Sequence, residues 1–286
     1  MTLDRISTLH FVPGNQPARF DKALASGADG IVLDLEDAVS VFEKDTARDA
    51  VFNWLRQGAA RVRPPGSPLH CLRLNARQSP FFEADEAALG QALRAHQGPD
   101  LLVLPKVESP DDITACMDKW ATFSAPLPPL LALIETALGL DEVERIARHP
   151  AVAGLGFGAA DLSADMGCEM RWEAMLYARG RVAHAAALGR VALLDVPHLD
   201  LNDEEGLRAQ ALRAKAMGFT GKFAIHPRQV GPTRECFTPS ESQIASARMI
   251  VDAAARGQGQ ACVVDGRMVD EPVVQSARRI LARAGV

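Results

Sequence analysis

Eight short apolar runs recur along this chain, at residues 8–12, 30–35, 69–74, 100–104, 130–134, 153–158, 191–196 and 222–225, alternating with helical patterns. The runs are continuous in apolar residues rather than alternating with polar ones. Parallel strands buried on both faces read this way. Eight such strand–helix units in 286 residues predict a (β/α)8 TIM barrel, an α/β fold. A doubly wound open sheet is the alternative. It would more often carry a phosphate-binding glycine fingerprint after its first strand, and VPGN at 12–15 is not one. Gly154, Gly156 and Gly158 form a glycine-rich run, but in mid-chain and without a dinucleotide-binding spacing. They read instead as giving room beside Asp161.

Helices are expected over 17–25, 42–57, 85–96, 140–148, 174–188 and 204–217, with one more begun by Ser109 as N-cap and Pro110 at the first helical position. The barrel accounts for residues 1–235. Residues 236–286 form a C-terminal extension that the barrel does not require. It contains a helix over 239–257, capped by Ser240 and ended by Gly257, a hairpin turning at Asp265-Gly266, and a last helix over 272–284. An extension of this kind is expected at an interface with a neighbouring subunit or over the site.

Net charge is −5, so no general basic footprint for nucleic acid exists, and a phosphate-bearing ligand would need a local patch. The five cysteines, Cys71, Cys116, Cys168, Cys236 and Cys262, are scattered without metal spacing. Reduced thiols, no structural zinc and a cytoplasmic setting are expected. No apolar run approaches the length of a membrane span, and the opening MTLDRIST, without a basic-then-apolar pattern, is not expected to act as a secretory signal.

Charged residues follow most of the strands, and in barrels this C-terminal face carries the active site. Glu36 and Asp37 follow the second run. Arg73 and Asn75 end the third, Lys106 and Glu108 the fourth, Glu135 the fifth, and Asp161 follows the sixth. A carboxylate at each of two strand ends, Glu135 and Asp161, suits Mg²⁺, a hard cation that keeps waters or substrate oxygens in its octahedron. Glu36 and Asp37 would support it through water. The plain alternative for Glu135 is an acidic helix start. Arg73 is poised to grip a carboxylate or enolate, or else forms a structural salt bridge with Glu36 or Asp37. Lys106 could contact a ligand or pair with a carboxylate. Asp270 reads, from its residues alone, as chemistry of a helix start.

Several segments together resemble the citrate lyase β-subunit-like proteins of the HpcH/HpaI aldolase superfamily. They are FVPGN at 11–15, GADGIVLDLEDAV at 27–39, Lys44 with Arg48, RLN at 73–75, LPKVES at 104–109, ALIETALGL at 132–140, GFGAADLSADMG at 156–167, GFTGKFAIHP at 218–227 and DGRMVDEP at 265–272. The resemblance covers nearly the whole chain. It implies a Mg²⁺-dependent (β/α)8 lyase acting on a 3-hydroxyacyl-CoA thioester of the citramalyl, malyl or citryl type. It also implies Glu135 and Asp161 as metal ligands, Arg73 at the substrate, and a homotrimer or hexamer. A C-terminal aspartate, here Asp270, would reach a neighbour's site, which replaces the plainer reading of that residue. Where the family's first strand begins Arg-Ser, this chain has Ser7-Thr8, which leaves Lys22, Arg19 and Lys222 as cations for the CoA phosphates. Three other readings stand beside the lyase: a thioesterase of the same esters, a pyruvate-type aldolase that needs no CoA, and a non-catalytic homologue. The loop 165–172 is one candidate for choosing the acyl group.

Overall fold

The computed structural model describes residues 3–59, 64, 66–256, 261–264 and 266–286. It divides the chain into two compact units, Met1–Arg234 and Glu235–Val286.

The first unit is a closed eight-stranded parallel barrel: β1 Thr8–Pro13, β2 Gly30–Asp34, β3 Leu69–Arg73, β4 Leu101–Leu104, β5 Leu130–Ile134, β6 Val152–Phe157, β7 Ala192–Asp195 and β8 Gly221–Ala224. All eight sequence runs became strands, in order. Because side chains alternate along a strand, the pairing register sorts them into two sets. Leu9 pairs with Gly30 and Phe223, Val32 with Cys71, Cys71 with Leu101, and Val103 with Leu131. These apolar residues, with Leu133 and Leu194, form one continuous buried cluster that fills the barrel, closed below by Leu3 and Ile6. The opposite set faces the surrounding helices: Thr8 beside Lys222, and Asp195 beside the same Lys222.

β6 is the exception in side-chain volume. A Cβ on Gly156 would lie 2.4 Å from Leu133 and 2.9 Å from Phe223, so the barrel interior is already full there. Glycine is what lets β6 pass.

Most expected helices formed with shifted ends. The helix expected over 85–96 spans Phe82–Arg94, and that over 174–188 spans Leu176–Gly189. Ser109 caps Pro110–Ala121 in a reciprocal capping box with Asp112. The helix expected over 140–148 is two short pieces, Ala137–Asp141 and Val143–Ala147. The segment 17–25 begins as a 3-10 turn, Pro17–Arg19, before Phe20–Leu24. Two α-helices had no counterpart in the sequence reading: Ala159–Asp165, which carries Asp161 in its first turn, and Val230–Phe237.

The second unit holds the helix Glu241–Arg256, the antiparallel hairpin of β9 Cys262–Val264 with β10 Arg267–Val269, and the helix Glu271–Ala284. Ser240 Oγ accepts from the Gln243 N–H and caps the first of these helices. Gly257 and Asp265 lie outside the described residues. No disulfide joins Cys71, Cys116, Cys168 or Cys236. No described helix is long and apolar enough to cross a membrane.

Candidate active site

The interior side-chain set turns polar at the C-terminal end of the barrel. Asp34 closes β2 and pairs in register with Arg73 on β3. The Arg73 guanidinium donates to both Asp34 oxygens, from Nε at 2.7 Å and Nη2 at 2.6 Å. Its Nη1 lies 2.8 Å from Glu36 Oε2, and the guanidinium stacks 4.9 Å from the Phe11 ring centroid. Arg73 is therefore fixed on three sides before any ligand arrives: its Nε–Nη2 fork grips Asp34, and the guanidinium is held in one orientation.

Lys106 joins the second half of the cluster. Its backbone takes a left-handed φ of 49°, uncommon for a residue with a side chain. In that conformation its N–H donates to Glu135 Oε1 at 2.8 Å, while its Nζ reaches Glu36 Oε1 at 2.7 Å. Asp37 Oδ2 and Asp161 Oδ2 lie 3.5 and 3.7 Å from the same ammonium. Burial works against the Lys106 charge, but the hydrogen bond and charge of Glu36, with Asp37 behind it, hold its pKa above the ordinary value. Glu108 is not drawn into the cluster by a side-chain bond. Its N–H donates to Asp112 in the neighbouring helix cap.

Glu135 is 3% exposed. Burial raises its pKa to about 8; Glu36 and Asp161 add to that rise, while Arg73 opposes it. Burial also raises Glu36, with Arg73 and Lys106 pulling the other way. Gly158 makes the space for Glu135: a Cβ there would sit 2.5 Å from Glu135 Cβ and 2.6 Å from Oε2. The glycine expected beside Asp161 thus clears the other candidate ligand.

Asp34, Asp37, Arg73, Glu135 and Asp161 are the charged groups of a cavity of about 400 Å³. Its remaining wall is apolar, from Phe11, Leu133, Phe157, Val196, Phe223 and Ile225 among others. Four carboxylates face one guanidinium here. That donor set fits a divalent hard cation: oxygen ligands, surplus negative charge, and a carboxylic acid at Glu135 that a cation would deprotonate. No group of three or more His, Cys, Asp and Glu side chains is gathered as a cage among the described residues. Mg²⁺ does not need one, since one or two carboxylates serve it when substrate and water complete the shell.

A buried network supports the cluster from behind. Lys44 Nζ donates to the Leu35 and Glu36 carbonyls and to Asn75 Oδ1, each at 2.7 Å. Asn75 in turn donates twice to Asp85, which also accepts from Arg48 Nε. Asn75 shares the alternation of Arg73 but turns to Lys44 and Asp85 rather than into the cavity. Lys44 thereby ties the turn carrying Glu36 to the strand end carrying Arg73.

One of the barrel's sequence candidates sits away from the cavity. Lys222 is fully buried on the helix-facing side of β8, its Nζ 2.6 Å from Asp195 Oδ2. Arg179 pairs with the other oxygen of Asp195 and stacks on Phe157 and Trp172, so Lys222 presents nothing to a CoA phosphate. The physical reason is alternation: Phe223 points into the barrel, so Lys222 must point out of it. Asp270, in the second unit, caps the helix Glu271–Ala284 by accepting from the Val273 N–H at 3.4 Å. Arg19 and Lys22 are exposed. The loop 165–172 supplies no residue to the cavity wall. Its Trp172 is held between Arg179 and Arg213. Sequence reasoning missed Asp34. A carboxylate inside the apolar run GIVLDL was the signal available for it.

A family profile described as HpcH/HpaI aldolase/citrate lyase matches residues 7–227. A citrate lyase subunit beta-like protein of Deinococcus radiodurans is 38% identical, covering 95% of each chain. An L-malyl-CoA/beta-methylmalyl-CoA lyase of Cereibacter sphaeroides is 34% identical, covering 96% of this chain and 93% of its own. Among solved structures, CitE of Mycobacterium tuberculosis in complex with magnesium, acetoacetate and coenzyme A superposes with a TM-score of 0.79. It is 31% identical, over 99% of this chain and 100% of that one.

Proposed function

The chain belongs to the HpcH/HpaI aldolase/citrate lyase family, and from that premise we propose that it is a Mg²⁺-dependent carbon–carbon lyase cleaving a 3-hydroxyacyl-CoA thioester to acetyl-CoA and an oxo acid. The observation that carries this reading is the mouth of the barrel. There, surplus carboxylates and a pre-oriented Arg73 line one cavity whose Glu135 is poised to exchange a proton for a cation.

Glu135 and Asp161 hold the metal. Mg²⁺, when bound, supplies Lewis acidity toward the hydroxyl and carboxylate oxygens of the substrate. Asp37 lines the cavity and is more than half exposed, so it takes the hydroxyl proton and passes it to solvent. The C3–O bond becomes a carbonyl, the C2–C3 bond breaks, and its electron pair moves to the thioester as an enolate. Arg73 stabilises the negative oxygen that develops there, an effect of about 3 kcal/mol in a dry site. Glu36 keeps Arg73 and Lys106 in place. Asp270, brought by the C-terminal unit of a neighbouring subunit in a homotrimer or hexamer, protonates C2 and completes acetyl-CoA. Arg19 and Lys22 supply charge for the CoA phosphates.

The test incubates the protein with Mg²⁺ and a panel of 3-hydroxyacyl-CoA thioesters and follows oxo-acid release. Release without free thiol supports the lyase. Free CoA without oxo acid identifies a thioesterase instead, and activity on free hydroxy-oxo acids alone identifies a CoA-independent aldolase.

A further inference from the structure

The lyase reading leaves open which acyl group the cavity takes. The carbon that bears the hydroxyl also bears the carboxylate and one further substituent. The hydroxyl and the carboxylate must face the Glu135–Asp161 pair, and the thioester oxygen Arg73. The third group on that same carbon therefore lies inside the same cavity, too close to escape through its mouth with the CoA arm.

What meets that group is decided by the lining. Among the described residues, Arg73 is the one cation in the wall, and three of its contacts already go to Asp34 and Glu36. The nearby Lys106 ammonium faces Glu36, Asp37 and Asp161. Every other charged lining group is a carboxylate. The rest of the surface is Phe11, Leu133, Val196, Phe223, Ile225 and similar side chains. The Phe11 and Phe223 rings pack together with centroids 5.1 Å apart, and the Leu133 side chain belongs to the same barrel core. A second carboxylate would meet either its own charge sign or an apolar wall, and neither can pair it. A methyl group would bury against the same wall favourably.

We propose that this site is built for thioesters with a single free carboxylate and a small apolar substituent, methyl or hydrogen, on the hydroxyl-bearing carbon, and that it rejects a carboxymethyl group there. The oxo-acid product is then a monocarboxylate of the pyruvate or glyoxylate class, not a dicarboxylate. This rests on the lyase reading and sets its substrate class.

The experiment uses the full chain with Mg²⁺ and three thioesters that differ only at that position: hydrogen, methyl and carboxymethyl. The expected order in kcat/KM is methyl first, hydrogen about 10-fold lower, as one apolar carbon warrants, and carboxymethyl at least about 100-fold lower. Carboxymethyl cleaved as fast as methyl overturns the proposal while leaving the lyase intact. If no thioester is cleaved, the lyase reading fails, and calorimetric binding of free pyruvate against oxaloacetate in the presence of Mg²⁺ still decides the substrate class. Pyruvate binding tighter supports it, and oxaloacetate binding equally or tighter overturns it. Val196→Arg adds a cation to the wall. It should raise the carboxymethyl-to-methyl ratio at least about 10-fold, and an unchanged ratio counts against the apolar wall as the selecting surface.

Discussion

Two clusters of buried charge lie on opposite sides of one sheet. Inside the barrel mouth, Asp34, Glu36 and Glu135 meet Arg73 and Lys106, and carboxylates outnumber cations. On the helix-facing side, Asp195 sits between Lys222 and Arg179, fully buried, with both of its oxygens paired. Burial pushes the Lys222 pKa down while Asp195 holds it up, and both side chains are sealed from solvent. The mouth borders a cavity of about 400 Å³, and its Glu135 is pushed to about 8. One cluster is closed, a single carboxylate shared by two buried cations, with burial pushing Lys222 toward its neutral form. The other carries a charge imbalance that only something from outside can settle. Buried ionic groups thus mean different things in the same fold: a surplus of carboxylates facing a cavity marks a site, and a sealed carboxylate shared by two cations marks a joint.

The contrast predicts that lesions in the two clusters separate activity from stability. The largest effect should come from the mouth. Glu135→Gln and Asp161→Asn should each lower turnover by about 1000-fold or more, with loss of Mg²⁺ affinity measured by calorimetry. The same Glu135→Gln protein should unfold at an equal or higher temperature, because a neutral amide replaces an acid that burial and its neighbours disfavour as a carboxylate. Full turnover in either variant would remove the metal assignment.

Asp195→Ala should do the reverse. It leaves Arg179 and Lys222 buried without their counter-charge, which destabilises a protein by about 3–5 kcal/mol. Urea unfolding measures that loss. Activity per folded molecule should stay within a few-fold of the parent, since Asp195 is not among the residues that line the cavity. A drop in specific activity as large as that of Glu135→Gln would erase the distinction between the two clusters.

How much of this was legible follows from the same sheet. Continuous apolar runs gave all eight strands, because a parallel strand buried on both faces has almost no other way to be written. Glu135, Asp161, Arg73 and Asp37 were readable as strand-end charges, and they line one cavity, with Glu36 paired to Arg73. Lys222 was read as a cation for the CoA phosphates, yet it points away from the barrel interior. In GKFAI the phenylalanine fills the barrel, so the lysine before it cannot. That information was present in the alternation. Asp34 was obscured because an aspartate within an apolar strand reads as part of the run. The left-handed turn at Lys106, which aims its N–H at Glu135, leaves no trace in residue type. The helix Ala159–Asp165 is too short to show a period.

Lys44 lies between the two extremes, since it is buried like Lys222 but ties two loops of the mouth together. Lys44→Met should lower kcat by about 10- to 100-fold through misplacement of Glu36 and Arg73, with KM changed less. It should also destabilise the fold by about 1–3 kcal/mol, because the Asn75 oxygen and two backbone carbonyls lose their donor. Lys44→Arg, which keeps a donor, should recover part of kcat. A variant with reduced stability and unchanged kcat would move Lys44 into the same class as Lys222.

The remaining expected effect is a pH dependence confined to the mouth, at most about 10-fold for each pH unit. Glu135 has an unfolded value of 4.5 and a folded value of about 8, so between those limits the folded state holds the extra proton. Its contribution to the stability of the metal-free protein is therefore fullest below pH 4.5 and declines as pH rises to about 8. Mg²⁺ needs the carboxylate, so binding below pH 8 must displace that proton, and affinity should climb by up to about 10-fold per pH unit toward 8 and then level off. Calorimetry in buffers of different ionisation enthalpy reads the released proton directly. Glu135→Gln removes the proton along with most of the affinity, whereas Lys222→Met, on the far side of the sheet, should leave the slope of affinity against pH untouched in whatever fraction folds. A Mg²⁺ affinity that is flat from pH 5.5 to 8 would show that Glu135 is ionised without the metal, and the electrostatic difference between mouth and joint would then lie in access to solvent rather than in charge balance.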